Sequence, residues 1–275
     1  MSTSKLAFAL NHMACPALSP FELIDAAKSL KIKAIELRND VRHNSIADIE
    51  TAKKIAQASQ AAGIEVLSIN ALYPFNIWNP MRAEQAEKLA QLAQAAGAKA
   101  LVCCPLNDGD YKASASEKAA GLRIALAGLK KILVKYNLKG HIEPLGFPIS
   151  SLQFKDDAIK AIKDLNADDC FSLVHDTFHH KGANEQVMFP LDTGLVHISG
   201  VEDKELSFTD MLDKDRLFVG PNDRLDNIGQ IKALLEGGYQ GYISFEPFFD
   251  GLWDLTDPVN DIKVSMDYIR QQLQG

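Results

Sequence analysis

The stretch that decides the fold covers residues 171–180 and reads Phe-Ser-Leu-Val-His-Asp-Thr-Phe-His-His. Its first half is apolar and rich in strand-forming residues, which predicts a buried β-strand. The chain then leaves the core at Asp176 and His179, and in a barrel of parallel strands this end bears the chemistry. Alternatively, Asp176 caps the following turn and the histidines belong to a solvated loop. A single Asp-x-x-His segment favours that alternative, so the ends of the other strands decide the question.

The rest of the chain alternates between short apolar runs and amphipathic segments. Seven further strands are predicted, at residues 5–10, 34–37, 65–70, 100–103, 140–143, 195–198 and 241–245. Helices are predicted in a segment opened by Ser19 and Pro20, in residues 46–62, which Gly63 ends, and in residues 81–95, 117–136, 156–165, 228–236 and 259–273. Residues 181–189 lack a helical period, and we expect a loop with at most a short helix there.

Strands that alternate with helices in this way predict parallel strands joined by right-handed crossovers. Eight such units in 275 residues favour a single (β/α)8 TIM barrel over an open doubly wound sheet. No Gly-x-Gly-x-x-Gly or Gly-x-x-x-x-Gly-Lys-Ser/Thr motif follows a strand, which argues against a nucleotide-binding sheet. No linker rich in Pro, Gly or Ser interrupts the pattern. We therefore predict one catalytic domain over residues 1–275.

Composition and charge argue against several classes of protein. The chain is 47% hydrophobic with a net charge of −7, and it has no long Lys/Arg cluster, so a nucleic-acid partner is not expected. No apolar run is long enough to span a bilayer, and the N-terminus has no signal-peptide pattern. The four cysteines form no Cys-x-x-Cys motif, which predicts free thiols and a cytoplasmic protein.

Four consecutive predicted strands end in a residue type that binds metal ions. These residues are Glu143, Asp176, His197 and Glu246. Three unpaired carboxylates at one end of a barrel would repel each other and would be costly to desolvate, and a divalent cation removes that cost. Mixed carboxylate and imidazole ligands suit Mn²⁺, Zn²⁺, Co²⁺ or Fe²⁺ better than Ca²⁺. Each residue singly is explained equally well as a helix cap or a core histidine, but four on successive strands favour a metal site.

Five segments around these strand ends resemble a known family. They are Ala34-Ile35-Glu36-Leu37-Arg38, Ser68-Ile69-Asn70-Ala71-Leu72, Ile142-Glu143-Pro144, His175-Asp176-Thr177-Phe178-His179 and Phe245-Glu246-Pro247. The chain resembles the xylose isomerase-like TIM-barrel superfamily and, within it, the inosose (2-keto-myo-inositol) isomerases of inositol catabolism. The resemblance implies that the four strand-end residues hold one divalent metal ion, expected to be Mn²⁺, Zn²⁺, Co²⁺, Mg²⁺ or Fe²⁺. It also implies that His179 lies beside the substrate and that Arg216 binds a substrate oxygen.

These residues and this resemblance predict an isomerase or epimerase of a polyhydroxy ketone. The substrate would be a small sugar or cyclitol ketone such as inosose. The metal ion would stabilise the enediolate that forms when the α-proton leaves, and Glu143 or Glu246 would act as general base. His179 would orient the substrate and neutralise developing charge on its oxygen. The alternative is a dehydratase of inosose or 3-dehydroshikimate on the same scaffold. A repair nuclease would need further metal ligands and a basic face, and the acidic chain argues against both.

Further residues are predicted to contact the substrate. They are Arg216, Glu36, Asn70 and Trp78. For Arg216 the alternative is a surface salt bridge with Asp213 or Asp215, and for Glu36 it is a buried pair with Arg38. The aromatic residues after the third and eighth strands would wall the sugar ring or pack in the interface of a homo-oligomer.

Overall fold

A closed barrel of eight parallel strands forms the centre of the molecule. The computed structural model describes residues 6–274, and each strand pairs with the next until β8 pairs with β1. The strands are β1 (Ala7–Asn11), β2 (Ala34–Arg38), β3 (Glu65–Leu72), β4 (Ala100–Cys103), β5 (Lys139–Ile142), β6 (Phe171–Asp176), β7 (Thr193–Ile198) and β8 (Tyr242–Phe245). The predicted (β/α)8 TIM barrel is confirmed. Residue 5, the start of the first predicted strand, lies outside the described residues.

Within residues 6–274, eight α-helices alternate with the strands. They are α1 (Pro20–Ser29), α2 (Ile49–Ala62), α3 (Pro80–Ala95), α4 (Ala115–Tyr136), α5 (Lys155–Asp164), α6 (Thr177–Gly182), α7 (Asn227–Glu236) and α8 (Pro258–Gln274). Short 3₁₀ segments lie in connections that follow strands, at His12–Ala14, Arg42–Asn44, Asp213–Asp215 and Asp250–Asp254. No helix of the described chain is long and apolar enough to cross a membrane.

Capping side chains set the helix ends. Ser19 and Glu22 form a capping box, and Pro20 occupies the first turn of α1, as predicted. Helix α2 begins later than predicted because Asp48 caps its first turn. Gly63 ends α2 with a φ of +65°, a left-handed conformation that glycine adopts without strain.

The region after β6 differs from the prediction. A short helix is predicted, if at all, within residues 181–189, but α6 begins immediately after the strand. The reason is Asp176, whose Oδ1 accepts hydrogen bonds from the backbone N–H groups of Phe178 (2.7 Å) and His179 (3.1 Å). The alternative in which Asp176 is a cap is therefore correct. The alternative of a solvated histidine loop is wrong, because His179 and His180 are buried.

Two apolar regions lie on opposite sides of the strands. The larger joins the strands to the surrounding helices. The smaller contains Val102 of β4, Val174 of β6 and Leu195 of β7. Because β4 is not hydrogen-bonded to β6 or β7, these three side chains meet inside the barrel. Alternation along β6 then points Val174 and Asp176 inwards and His175 outwards.

Candidate metal centre

The four predicted metal ligands meet at the carboxyl end of the barrel. Glu143 directly follows β5, Asp176 ends β6, His197 lies near the end of β7 and Glu246 directly follows β8. One ligand atom from each residue lies within 4.8 Å of the corresponding atoms of the other three, and all four residues are buried. Strand pairing contributes to this arrangement, since Asp176 lies opposite His197 in the register of β6 and β7. We call these four residues the ligand cluster.

His197 lies between carboxylates on both sides of its ring. Its Nδ1 is 3.0 Å from Glu143 Oε1 and 3.1 Å from Glu246 Oε2, and its Nε2 is 3.1 Å from Glu36 Oε1. Burial by itself would lower the pKa of His197. The carboxylates of Glu246, Glu36 and Glu143 outweigh burial and raise this pKa well above its usual value. The position therefore strongly favours positive charge.

Arg216 brings a second positive group to the cluster. Nη2 donates to Asp176 Oδ2 (2.6 Å) and to Glu246 Oε2 (3.0 Å), and Nε donates to Ser199 Oγ (3.0 Å). A contact with Asp213 is present at 3.3 Å. Because Arg216 is only 2% exposed, the interpretation as a surface salt bridge is wrong. The guanidinium instead lies among the predicted metal ligands.

Glu246 is surrounded by donors. Its Oε1 accepts from Asn11 Nδ2 (3.0 Å) and Arg38 Nη1 (2.8 Å), and its Oε2 accepts from Arg216. Burial would raise the pKa of Glu246, but the opposing charges of His197 and the two guanidinium groups lower it well below its usual value. The role of Asn11 as a hydrogen-bond donor to Glu246 was not predicted from the sequence. The position of Asn11 directly after the first predicted strand is the signal that would have identified it.

Glu143 has fewer donors than Glu246. Besides the imidazole of His197, its neighbour is the thiol of Cys104, whose Sγ donates to Glu143 Oε2 (3.2 Å). Burial and the nearby carboxylate raise the pKa of Cys104 well above its usual value, so the thiol stays protonated. Cys104 follows β4 directly, and this position after a strand end was the available signal. Its neighbour Cys103 is a buried core residue.

A cavity of about 300 Å³ opens onto the ligand cluster. Glu143, Glu246, Arg216, Asn70 and His179 are among the residues that line it. The lining also contains the aromatic side chains of Tyr73, Phe147 and Phe248. Asn70, His179 and Arg216, which are predicted to contact the substrate, all line this cavity, and the contacts themselves stay a prediction.

His179 packs between aromatic rings, and its side chain makes no hydrogen bond to other residues within 6–274. The ring centroids of Phe147 and Phe178 each lie 5.2 Å from that of His179, in edge-on geometry. The side chain is buried, and its Nδ1 has no hydrogen-bond partner among the described residues. A buried nitrogen without a partner is costly, and such a group beside a cavity is consistent with a functional role.

Glu36 does not occupy the position predicted for it. The residue is fully buried, and the described cavity lining does not include it. Nor does it pair with Arg38, which bonds to Asp40 (2.7 Å) and Glu246 (2.8 Å). Because β2 continues two residues beyond Glu36, the carboxylate lies deeper in the barrel, where it contacts His197. Glu36 is therefore not placed to bind substrate as predicted, and instead contacts His197, one of the four predicted metal ligands.

Trp78 also lies elsewhere than predicted. Its indole ring occupies the space that a Cβ atom on Gly128 of α4 would need, and it packs against the main apolar core. Of the residues that the structure describes, those lining the cavity do not include Trp78. The aromatic residue serves the packing of α4, because only a glycine at position 128 leaves room for the ring. The aromatic walls of the cavity come from Tyr73 and Phe248 instead.

The ligand cluster has the donor chemistry of a divalent metal site. Three carboxylates and one imidazole each place a ligand atom within 4.8 Å of the others, and a fourth carboxylate, Glu36, lies behind His197. Asp176 uses Oδ1 to cap α6, which leaves Oδ2 facing the cluster. Mixed oxygen and nitrogen donors of this kind fit Zn²⁺, Mn²⁺, Co²⁺ and Fe²⁺.

A second buried polar cluster lies behind β6. Lys155 Nζ donates to His175 Nδ1 (3.0 Å) and His180 Nδ1 (2.8 Å), and Glu185 Oε2 lies 3.6 Å from the ammonium group. His175 Nε2 contacts Gln230 Oε1 (2.9 Å). Burial lowers the pKa of Lys155 to about 8, partly opposed by Glu185. We call these five residues the lysine cluster. It was not predicted from the sequence, because Lys155 and Gln230 are distant in sequence from the histidines and Glu185.

Comparison with solved structures places the chain among barrels of one family. A protein from Salmonella typhimurium LT2 that contains a xylose isomerase domain is 30% identical over 100% of both chains, with a TM-score of 0.88. The IolI protein, solved with a bound zinc atom, is 21% identical over 98% of both chains, with a TM-score of 0.84. The 3-keto-D-glucoside 4-epimerase YcjR from E. coli is 15% identical over 97% of this chain and 100% of its own, with a TM-score of 0.74.

Comparison with curated proteins gave no match. The family model described as xylose isomerase-like TIM barrel matches residues 24–272. This match includes seven of the eight strands and the whole ligand cluster. The protein therefore belongs to the xylose isomerase-like TIM barrel family.

Proposed function

We propose that the protein is a divalent-metal-dependent isomerase or epimerase of a polyhydroxy ketone, with inosose as its substrate. The main support is the ligand cluster, whose ligand atoms lie within 4.8 Å of one another beside a cavity of about 300 Å³. That volume is at the lower end of the range of small-molecule pockets. The zinc atom of the IolI protein and the epimerase activity named for YcjR support the metal and the reaction class.

A divalent ion held by the ligand cluster would polarise the substrate carbonyl and stabilise the negative charge that develops on its oxygen. We assign removal of the α-proton to Glu143, because its carboxylate faces the cavity and has fewer donors than that of Glu246. The proton passes from the carbon beside the carbonyl to the Glu143 carboxylate. Return of this proton to the former carbonyl carbon, with the hydroxyl proton passing to the former carbonyl oxygen, gives the isomer, and delivery of a different proton to the opposite face of the same carbon gives the epimer. Glu246 lines the same cavity and serves as the second proton carrier.

His179 and Arg216 are assigned to the substrate oxygens. Among the described residues, His179 Nδ1 has no partner, and the His179 side chain lines the cavity, where its ring can contact a substrate oxygen. Arg216 lines the cavity, where its guanidinium offsets charge on the reacting oxygen. Asn70 also lines the cavity, with its amide fixed by a hydrogen bond to Glu36 (2.8 Å). These contacts orient the substrate and leave proton transfer to the carboxylates.

The charges around the cavity favour an uncharged substrate. The guanidinium of Arg38 is paired with Asp40 and Glu246, and that of Arg216 with Asp176 and Glu246. An anionic substrate would have to compete with these carboxylates. This argues against 3-dehydroshikimate, which carries a carboxylate, and in favour of a neutral cyclitol or ketose.

The test is a substrate and metal screen with the purified protein. After chelation, the protein is reloaded separately with Mn²⁺, Co²⁺, Zn²⁺, Mg²⁺ or Fe²⁺ and incubated with inosose, ketohexoses and 3-dehydroshikimate in D₂O. We expect metal-dependent conversion of inosose to a product of unchanged composition that carries deuterium at the reacting carbon. Loss of water from the substrate would identify the dehydratase instead. Activity that survives complete metal removal would contradict the proposal.

A further inference from the structure

We infer that Glu36 is a positioning residue that holds His197 in the orientation required of a metal ligand, an inference that depends on the proposed metal site. The sequence places Glu36 among the substrate contacts, but the structure buries it completely. Its only route of action on a bound molecule is therefore through the residues it contacts.

Glu36 is fixed by hydrogen bonds from four strands, the longest of them from Asn11 Nδ2 of β1 to Oε1 (3.4 Å). Ser68 Oγ (2.6 Å) and Asn70 Nδ2 (2.8 Å) of β3 donate to Oε2, and Ser244 Oγ (2.5 Å) of β8 donates to Oε1. The remaining strong contact is His197 Nε2 of β7, 3.1 Å from Oε1. A carboxylate with this many donors has little freedom to rotate, so it defines the direction of the imidazole N–H.

Glu36 contacts the side of the imidazole ring that faces away from the ligand cluster. Nε2 of His197 faces Glu36, whereas Nδ1 faces Glu143 and Glu246. Within the described chain, the group of residues close enough to share a metal ion does not include Glu36. The two ring nitrogens thus have separate tasks, one towards the support and one towards the ligand site.

This division of tasks sets the tautomer of His197. A hydrogen bond from Nε2–H to Glu36 keeps one proton on Nε2, so Nδ1 is the nitrogen that would give up its proton and present a lone pair when a divalent ion binds the cluster. The negative charge of Glu36 also makes the imidazole a stronger electron donor. Carboxylates in this position typically change metal affinity by about 10- to 100-fold when they are replaced.

The experiment measures binding of Co²⁺ alone to the full-length, metal-free protein by calorimetry, together with the ligand-field absorption of the bound ion. In Glu36→Gln the shape is kept, the charge is lost, and Nε2 faces an amide that can rotate. We expect Kd for Co²⁺ to rise by about 10- to 100-fold and the absorption spectrum to change. Glu65→Gln is the matched control, because Glu65 is an exposed glutamate on the neighbouring strand, and Kd should stay at the wild-type value.

A second variant covers the case in which Glu36→Gln does not fold. The double variant Ser68→Ala/Ser244→Ala keeps the Glu36 charge but removes two of its donors, and Kd should rise by a smaller factor. If Glu36→Gln folds, an unchanged Kd and spectrum would overturn the role of Glu36 without affecting the proposed function. If it does not fold, the same result in the double variant would do so. A wild-type protein that binds no divalent ion would overturn the proposed function as well. Binding of Co²⁺ without isomerase activity would reject the function and leave the role of Glu36 in place.

Discussion

Strand β6 separates two buried polar clusters that differ in how their charges are balanced. On its inner face, Asp176 belongs to the ligand cluster. On its outer face, the preceding residue His175 belongs to the lysine cluster. Both clusters contain histidine and carboxylate, and the residues of both are largely buried. The difference is that the lysine cluster includes its own cation, the ammonium group of Lys155, at the centre of its hydrogen bonds.

The ligand cluster has an excess of carboxylates. Arg216, Arg38 and His197 provide positive charge, but Glu36 and the rim residues Asp40 and Asp213 add further carboxylates around them. In the lysine cluster, by contrast, one ammonium group faces one carboxylate and two imidazoles. Buried histidines and carboxylates alone therefore do not indicate a metal site. A metal site is indicated when such residues carry an excess of negative charge next to a cavity.

The largest expected effect comes from Glu143→Gln, which breaks the ligand cluster. The substitution removes the proposed general base, so turnover should fall by about 10²–10⁴-fold, with weaker metal binding in addition. Steady-state kinetics and elemental analysis measure the two effects. Thermal stability of the metal-free protein should not decrease, because one of several repelling carboxylates is lost. Full activity in this variant would contradict the assignment of Glu143.

His179→Ala should give the next largest effect and should leave the fold intact. The ring has an unpartnered Nδ1 in the described structure, so its removal breaks no internal hydrogen bond at that atom. Loss of a group that stabilises charge on the reacting oxygen should lower kcat by about 10²–10³-fold. Metal content and melting temperature serve as controls. A lower melting temperature with unchanged activity per folded molecule would instead identify a core histidine.

Lys155→Met tests whether the ammonium group stabilises the lysine cluster. Removal of the ammonium group leaves two imidazole nitrogens and Glu185 without their donor, which should cost about 1–3 kcal/mol in the free energy of unfolding. Denaturant titration measures this loss. Lys160→Met, at an exposed position in the same helix, is the control and should be nearly neutral. Metal affinity should be the same in both variants, and a large loss of affinity in Lys155→Met would show that the clusters are coupled.

The smallest expected effect is the pH dependence of the stability difference between wild type and Lys155→Met. The pKa of Lys155 is lowered from 10.5 to about 8 in the folded state. Between these values the unfolded chain binds more protons than the folded one, so Lys155 contributes stability that increases with pH. The difference in unfolding free energy between wild type and Lys155→Met should therefore grow from pH 8 to pH 10.5 and stay constant below it. A constant difference across the whole range would show that burial does not shift this pKa.

The fold was predictable because its signals are local. Strand and helix periods, the Ser19 cap and the stop at Gly63 depend on neighbouring residues, and the structure confirms them. The four members of the ligand cluster were predictable for the same reason, since each ends or follows a strand of a closed parallel barrel. The start of α6 was not, because Asp176 both caps a helix and faces the cluster.

The sequence alone determined the barrel and which residues lie at its carboxyl end, because side-chain period and chain alternation are encoded within each βα unit. Only the tertiary structure decided what each polar residue contacts. Glu36 faces His197 and not the cavity, Trp78 packs on Gly128, and Lys155 reaches two histidines distant in sequence. These contacts depend on the depth of each side chain in the barrel and on the register between non-adjacent segments, which no local pattern specifies.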